Sequence, residues 1–180
     1  MILPSTLLRA LHFAADRHQG QRRKGSSQMP YINHLIGVAT LLAVTGSVTD
    51  ETLLVGAVLH DTVEDTDTTF EELELLFGKE VADLVREVTD DKTLPKHVRK
   101  DLQVAHAATA SPNAKQLKIA DKTCNLRDVM DHPPVNWSRE RRLEYFEWAS
   151  RVVANCRGHN CALEAEFDAV FAAGEALLRR

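Results

Sequence analysis

Residues 53–65 read LLVGAVLHDTVED, an apolar run that ends abruptly in His60–Asp61 and, one turn later, in Glu64–Asp65. No polar side chain occurs from Leu53 to Leu59, so as a helix this stretch is hydrophobic all round and belongs inside a core. An imidazole and a carboxylate side by side at the end of such a helix cost free energy unless something satisfies them. A divalent cation does so. Histidine supplies a neutral nitrogen and aspartate an anionic oxygen, a mixture suited to Mn, Fe, Zn or Co. Helical spacing sets Glu64 near His60 and Asp65 near Asp61, which adds two carboxylates beside the pair without requiring them to ligate.

Outward from this run the period stays helical. Leu7, Leu8, Leu11 and Ala15 mark one face and Leu35, Val38, Ala39 and Leu42 another; FEELELLF and EVADLVREVTD are further helices. Gly46, Gly78, Pro95, Pro112, Pro133–Pro134 and Gly158 punctuate them. Thr69, three residues before Glu72, is an N-cap with a capping box, and Ser138 precedes a helix running towards Val153. Alternating strand patterns are nearly absent. The stretch QRRKGSSQMP, polar and basic with Gly and Ser, reads as a surface loop. The expectation is an all-α chain forming one domain over residues 1–180, with no internal repeat.

Composition bounds the partners. The chain has 180 residues, 44% hydrophobic, enough for a core without disulfides. Its start, MILPSTLLRALHFAADRH, lacks a basic region and a cleavage site and reads as the first helix. No apolar run approaches the roughly 20 residues of a membrane span. Cys124, Cys156 and Cys161 are odd in number and scattered, which points to a reduced, cytoplasmic protein. A net charge of -4 argues against nucleic acid as the main partner but leaves room for local basicity towards a small anion. The oligomeric state is left open.

Two more residues complete a possible metal set: His34, after Pro30–Tyr31 at a helix start, and Asp121, within KIADKTCNL. Taken singly, each has a plainer explanation. A lone histidine in an apolar helix is commonly a hydrogen-bonded core residue, and Asp121 can pair with Lys118 or Lys122 on a helix surface. The joint order His34…His60–Asp61…Asp121, all in helices, favours one metal. Glu64 and Asp65 are then the catalytic carboxylates that orient or deprotonate a water, while Asp67, Glu71 and Glu72 are solvated acids. His12, His18, His97, His106, His132 and His159 are surface or structural residues.

The ordered pattern matches the signature of HD-domain phosphohydrolases. More specifically, RRKG, PYINH, AVLHDTVEDT, EVTDDK, KIADKTCNLRD and WSRERRLEYFEWA resemble, in order, the hydrolase domain of the RelA/SpoT alarmone enzymes, over nearly the whole chain. With no synthetase domain following, the chain is similar to the stand-alone small alarmone hydrolases. That resemblance implies about ten helices, a Mn²⁺ cofactor, and removal of the 3′-diphosphate from (p)ppGpp. It places His34, His60, Asp61 and Asp121 on the metal and Glu64 and Asp65 at catalysis. It also places Arg23, Lys24, Asn125, Arg141 and Tyr145 at the nucleotide. Phosphate chemistry fits the basic members: arginine offers a bidentate fork or a stacking plane, lysine a point charge. Tyr145 is divided between stacking on substrate and packing in the core, Phe146 and Trp148 go to the core or its edge, and Arg139 and Arg142 are solvated or paired with Glu140 and Glu144. Leu35, where many relatives have Pro, and the variable Thr123–Cys124 are the departures; Cys124 reads as a structural thiol.

Three readings follow. The first is a (p)ppNpp 3′-pyrophosphohydrolase, with guanine against adenine unresolved. The second is a phosphatase acting on a related nucleotide such as NADPH. The third, from a different class, is a non-catalytic nucleotide sensor, which the retention of all six acidic and imidazole groups disfavours.

Overall fold

The computed structural model describes residues 4–180, and every regular element among them is helical. In chain order they are α1 (Pro4–Arg17), α2 (Ile32–Thr40), a π-helical turn continuing it (Leu41–Thr45), α3 (Glu51–Leu59) and α4 (Thr62–Asp65). There follow α5 (Phe70–Phe77), α6 (Lys79–Val88), α7 (Lys96–Thr109), α8 (Pro112–Asp131), α9 (Arg139–Ala154) and α10 (Cys161–Arg179). The all-α expectation and the count of about ten both hold among the described residues. Met1–Leu3, read as part of the first helix, lie outside them. The polar loop before Tyr31 is more organised than expected: isolated bridges join Arg22 to Pro30 and Gly25 to Pro134.

The punctuation works as chemistry predicts. Asp50, Thr69, Ser111, Ser138 and Asn160 each accept a hydrogen bond from a backbone N–H of the first turn they cap, satisfying groups the helix itself cannot. At Thr69 only half of the capping box forms. Its hydroxyl accepts from the Glu72 N–H (3.2 Å), but the Glu72 carboxylate pairs with Arg17 on α1. Gly78 separates α5 from α6 at φ +91°, a conformation that strains any residue with a Cβ.

Two apolar clusters share α3. Leu53, Leu54 and Ala57 pack with α8, α9 and α10, while Val55, Val58 and Leu59 pack with α1 and α6. That double burial is why α3 is apolar on every side, and Gly56 lets α6 approach, since a Cβ there would lie 2.6 Å from Leu84. On α1 the buried face is Ala10 and Ala14, with Leu7 and Leu11 flanking. Leu8 is 63% exposed and Ala15 is exposed too, so the larger side chains misplaced this face by one position.

Candidate active site

The longest helix, α8, is the spine of the site. Its 20 residues extend about 30 Å, and Lys118, Asp121, Lys122, Asn125 and Asp128 recur on it at helical spacing. Opposite stands the end of α3. There the chain departs from the single helix expected of LLVGAVLHDTVED. His60 closes α3, and Asp61, at φ -100° and ψ -3°, precedes the short α4 without a side-chain capping bond. The Asp65 N–H still donates to the Asp61 carbonyl (2.9 Å), so these two remain one turn apart. The Glu64 carboxylate is anchored instead on the loop after α6, accepting from the Asp90 N–H at 3.1 Å, with Arg99 of α7 3.8 Å away.

The four residues expected to share a metal converge. His34 Nε2 lies 3.2 Å from Asp121 Oδ1 and 3.7 Å from Asp61 Oδ2; His60 Nε2 lies 3.2 Å from Asp61 Oδ2 and 3.7 Å from Asp121 Oδ1. Ligand atoms of His34, His60 and Asp121 all fall within 4.8 Å of one another. Both imidazoles are buried, and both Nε2 atoms lack a hydrogen bond of acceptable geometry. His60 Nδ1 donates to the Ala57 carbonyl (2.8 Å), which fixes the ring and turns Nε2 inward, as a ligating histidine requires. Tyr31 donates its hydroxyl to Asp61 at 2.7 Å, and Asn125 Nδ2 donates to Asp121 at 2.6 Å. The set of two nitrogens and two carboxylates fits a divalent cation of the borderline kind.

Electrostatics agree. Burial disfavours charge on Asp61 and Asp121, yet the imidazoles, and Lys122 for Asp121, hold both carboxyls well below the usual range. Burial lowers the His34 pKa; at His60 it is outweighed by Asp61 and Asp121, which raise it. Lys122 makes an ion pair with Asp121 (2.9 Å), the pairing read from sequence, although Lys122 is buried and Asp121 half-buried within the site rather than on a helix surface. Glu64 moves the other way. Its burial, with Asp61, Asp90 and Asp65 nearby, pushes its carboxyl up to about 7. Asp65 pairs with Lys92.

Beyond this inner cavity of about 210 Å³ lies an outer one of about 540 Å³, and Arg23, Tyr31, Asp65, Asn125 and Tyr145 face both. Arg23 is held there: its Nε donates to Asp128 (2.9 Å), its other arm meets Asn125, and its guanidinium lies 5.3 Å from the Tyr31 ring. Lys24 and Arg141 line the outer cavity, Arg141 stacked 4.7 Å over Trp137. Tyr145 sits between Trp137 and Trp148, its hydroxyl pushed up to about 12 by burial. Every residue singled out from sequence therefore reaches one of the two cavities.

Several lining residues were not foreseen. Lys96, His97 and Lys100 of α7 border the outer cavity, as do His132 and Trp137; the sequence alone marks both histidines only as surface or structural residues. Burial, then Arg141 and Lys24, lowers the pKa of Lys96, which is itself exposed at the rim. The sequence shows only that Lys96 and Lys100 of KHVRKDLQ share a helix face, which does not distinguish them from an ordinary solvated face. Arg139 is exposed, as expected, and also donates to the Leu178 carbonyl at the end of α10. Phe146 is core, Trp148 borders the inner cavity with Lys122 4.7 Å from its ring, and Cys124 is a half-buried thiol pushed up to about 12. His18, nearly buried, stacks on Tyr31 and is structural.

Residues 10–147 match the HD-domain family model, and the chain belongs to that family. It is 54% identical over 165 residues to the Xenopus tropicalis protein named guanosine-3′,5′-bis(diphosphate) 3′-pyrophosphohydrolase MESH1, covering 92% of each. The human protein of that name is likewise 54% identical over 165 residues, with 92% of each covered. A solved structure, described as a metazoan ortholog of SpoT that hydrolyzes ppGpp, superposes with a TM-score of 0.92 at 48% identity, over 96% of this chain and 97% of the other.

Proposed function

We propose that this chain is a metal-dependent pyrophosphohydrolase that removes the 3′-diphosphate of guanosine-3′,5′-bis(diphosphate), with water, to give GDP and pyrophosphate. The observation that carries this reading is the meeting of two cavities: the one holding a cluster of two buried imidazoles and two half-buried carboxylates shares five lining residues with a larger, cation-lined cavity. One suits a reacting phosphoryl group, the other a second anionic arm and a base. The relatives' names supply the particular substrate.

We assign His34, His60, Asp61 and Asp121 to a single cation and take Mn²⁺ as that cation, consistent with imidazole and carboxylate donors. When bound, such a cation supplies Lewis acidity towards phosphoryl oxygen and acidifies a water. The chain's own residues do the rest. Glu64, beside the metal cluster and anchored by the Asp90 N–H, takes the proton of the attacking water and passes it on as the leaving oxygen forms. Asp65, steadied by Lys92, orients that water. Arg23, fixed by Asp128 and Asn125, presents a flat guanidinium to the base, and Tyr145 offers its ring edge at the throat. Lys24 and Arg141 hold the distal phosphates.

The test is parallel incubation of Mn-loaded protein with ppGpp, ppApp and NADPH, with products resolved by ion-exchange chromatography. Release of pyrophosphate from ppGpp, abolished by a chelator, is expected. Consumption of NADPH alone, giving NADH and phosphate, overturns the substrate assignment while leaving the metal site standing. Loaded protein that turns over none of them leaves a nucleotide sensor.

A further inference from the structure

Three cationic side chains face the inner cavity, and two are neutralised: Arg23 by Asp128 and Lys122 by Asp121. The third is Lys118. It is 6% exposed, it borders the inner cavity from α8 one turn before Asp121, and among the described residues it makes neither ion pair nor hydrogen bond. A lysine this buried and without a partner is rarely retained, and its Nζ is not among the sealed-off polar atoms, so it is within reach of a ligand in the cavity.

Its surroundings explain what it awaits. Lys122 lies one turn further along the same helix; Asp121 and Asp90 act on it only from a distance. Burial and Lys122 together lower its pKa, so an anion entering the cavity would find a donor whose protonation it favours. Most of the cavity's other polar walls are acidic or already hydrogen-bonded. Asp61, Glu64, Asp65 and Asp121 all carry or can carry negative charge, and Gln103 Nε2 is used by Asp90. An incoming diphosphate therefore meets one uncommitted cationic donor beside the reacting centre.

We propose that Lys118 is a catalytic residue of this site, donating to a non-bridging oxygen of the scissile diphosphate and remaining on the departing pyrophosphate. The inference rests on the hydrolase reading for its substrate, and on α8 geometry for its place. Charge grows on peripheral oxygens during phosphoryl transfer, and a fixed donor aimed there stabilises the transition state more than the ground state. No proton transfer by Lys118 is required.

The experiment uses inorganic pyrophosphate as the probe, so that it does not depend on turnover. Pyrophosphate is titrated by calorimetry into Mn-loaded wild type, Lys118→Met and Lys118→Arg, with bound metal counted in each. Lys118→Met should keep its metal and bind pyrophosphate about tenfold to a hundredfold more weakly, as loss of a charge-assisted hydrogen bond implies. Its kcat should fall further than its KM rises, and Lys118→Arg should recover part of both. Wild-type affinity and kcat in Lys118→Met overturn the proposal. So does weakened binding that merely tracks lost metal, since that is a packing role. Should Lys118→Met fail to fold, NMR of the wild type decides. The Lys118 ε-methylene signals, assigned by their absence in Lys118→Arg, must move when pyrophosphate is added to the Mg-loaded protein, and static signals overturn it. A wild type that binds pyrophosphate through Lys118 yet leaves ppGpp intact defeats the substrate reading alone.

Discussion

The inner and outer cavities differ in how their charges are held. Around the inner one, the acidic groups are tied to partners before any ligand arrives: Tyr31 to Asp61, Asn125 and Lys122 to Asp121, the Asp90 N–H to Glu64, and Lys92 to Asp65. Around the outer one, Lys24, Lys96 and Arg141 have no carboxylate partner among the described residues and crowd one another. The first arrangement is preorganised, which is what chemistry demands, because reorganisation during the reaction is costly. The second stores repulsion that an anion relieves, which is what binding demands. Substitutions should therefore divide cleanly: inner residues govern turnover, outer residues govern affinity.

The largest effect belongs to Asp61→Ala. Removing a carboxylate that touches both imidazoles should abolish bound metal and lower kcat/KM by about 10³-fold or more. Elemental analysis of the purified variant checks this, and metal at the wild-type level would remove Asp61 from the ligand set. Next comes Glu64→Gln. It should keep its metal and lose about 10²-fold or more in kcat with little change in KM. Near-normal turnover would move the base to Asp65 and weaken the division between the cavities. Outside, Lys96→Ala or Arg141→Ala should raise KM about tenfold and leave kcat within a factor of about three. A kcat loss as deep as that of Glu64→Gln would show that the outer cavity takes part in the chemistry.

How much of this division could be read in advance follows from where the information lies. The inner cavity was legible because its residues interrupt apolar helices: His60–Asp61 after LLVGAVL, and Asp121 in KIADKTCNL, are local contradictions that only a site resolves. The fold was legible because the 3.6 period runs through nearly every element, although the buried alanines of α1 were outweighed by more conspicuous leucines. Three features were beyond local reading. The break between α3 and α4 depends on the Asp61 conformation, which the tyrosine hydroxyl of a distant segment supports. The α7 cations look like any solvated helix face until tertiary packing sets them opposite Lys24 and Arg141. The close seating of the basic loop on the end of α8 is equally non-local. A Cβ at Gly25 would collide with the His132 carbonyl, so this glycine is there for an approach that no nearby residue announces.

The smallest predicted effect is on stability, and it probes the inner cavity without substrate. In metal-free protein the Glu64 carboxyl sits near 7, above its ordinary 4.5, because burial and neighbouring carboxylates disfavour the anion. The folded state thus holds this proton more tightly than the unfolded one, and stability falls as pH rises from about 4.5 to about 7. Glu64→Gln keeps an acceptor for the Asp90 N–H but removes the charge. It should therefore stabilise the metal-free protein by about 1–3 kcal/mol at pH 8 and by almost nothing at pH 4.5. Urea unfolding at the two pH values measures the difference. A gain that persists at pH 4.5 would assign it to packing rather than charge. No gain at pH 8 would mean that Glu64 ionises freely, and that the inner cavity is wetter than its tightly paired walls imply.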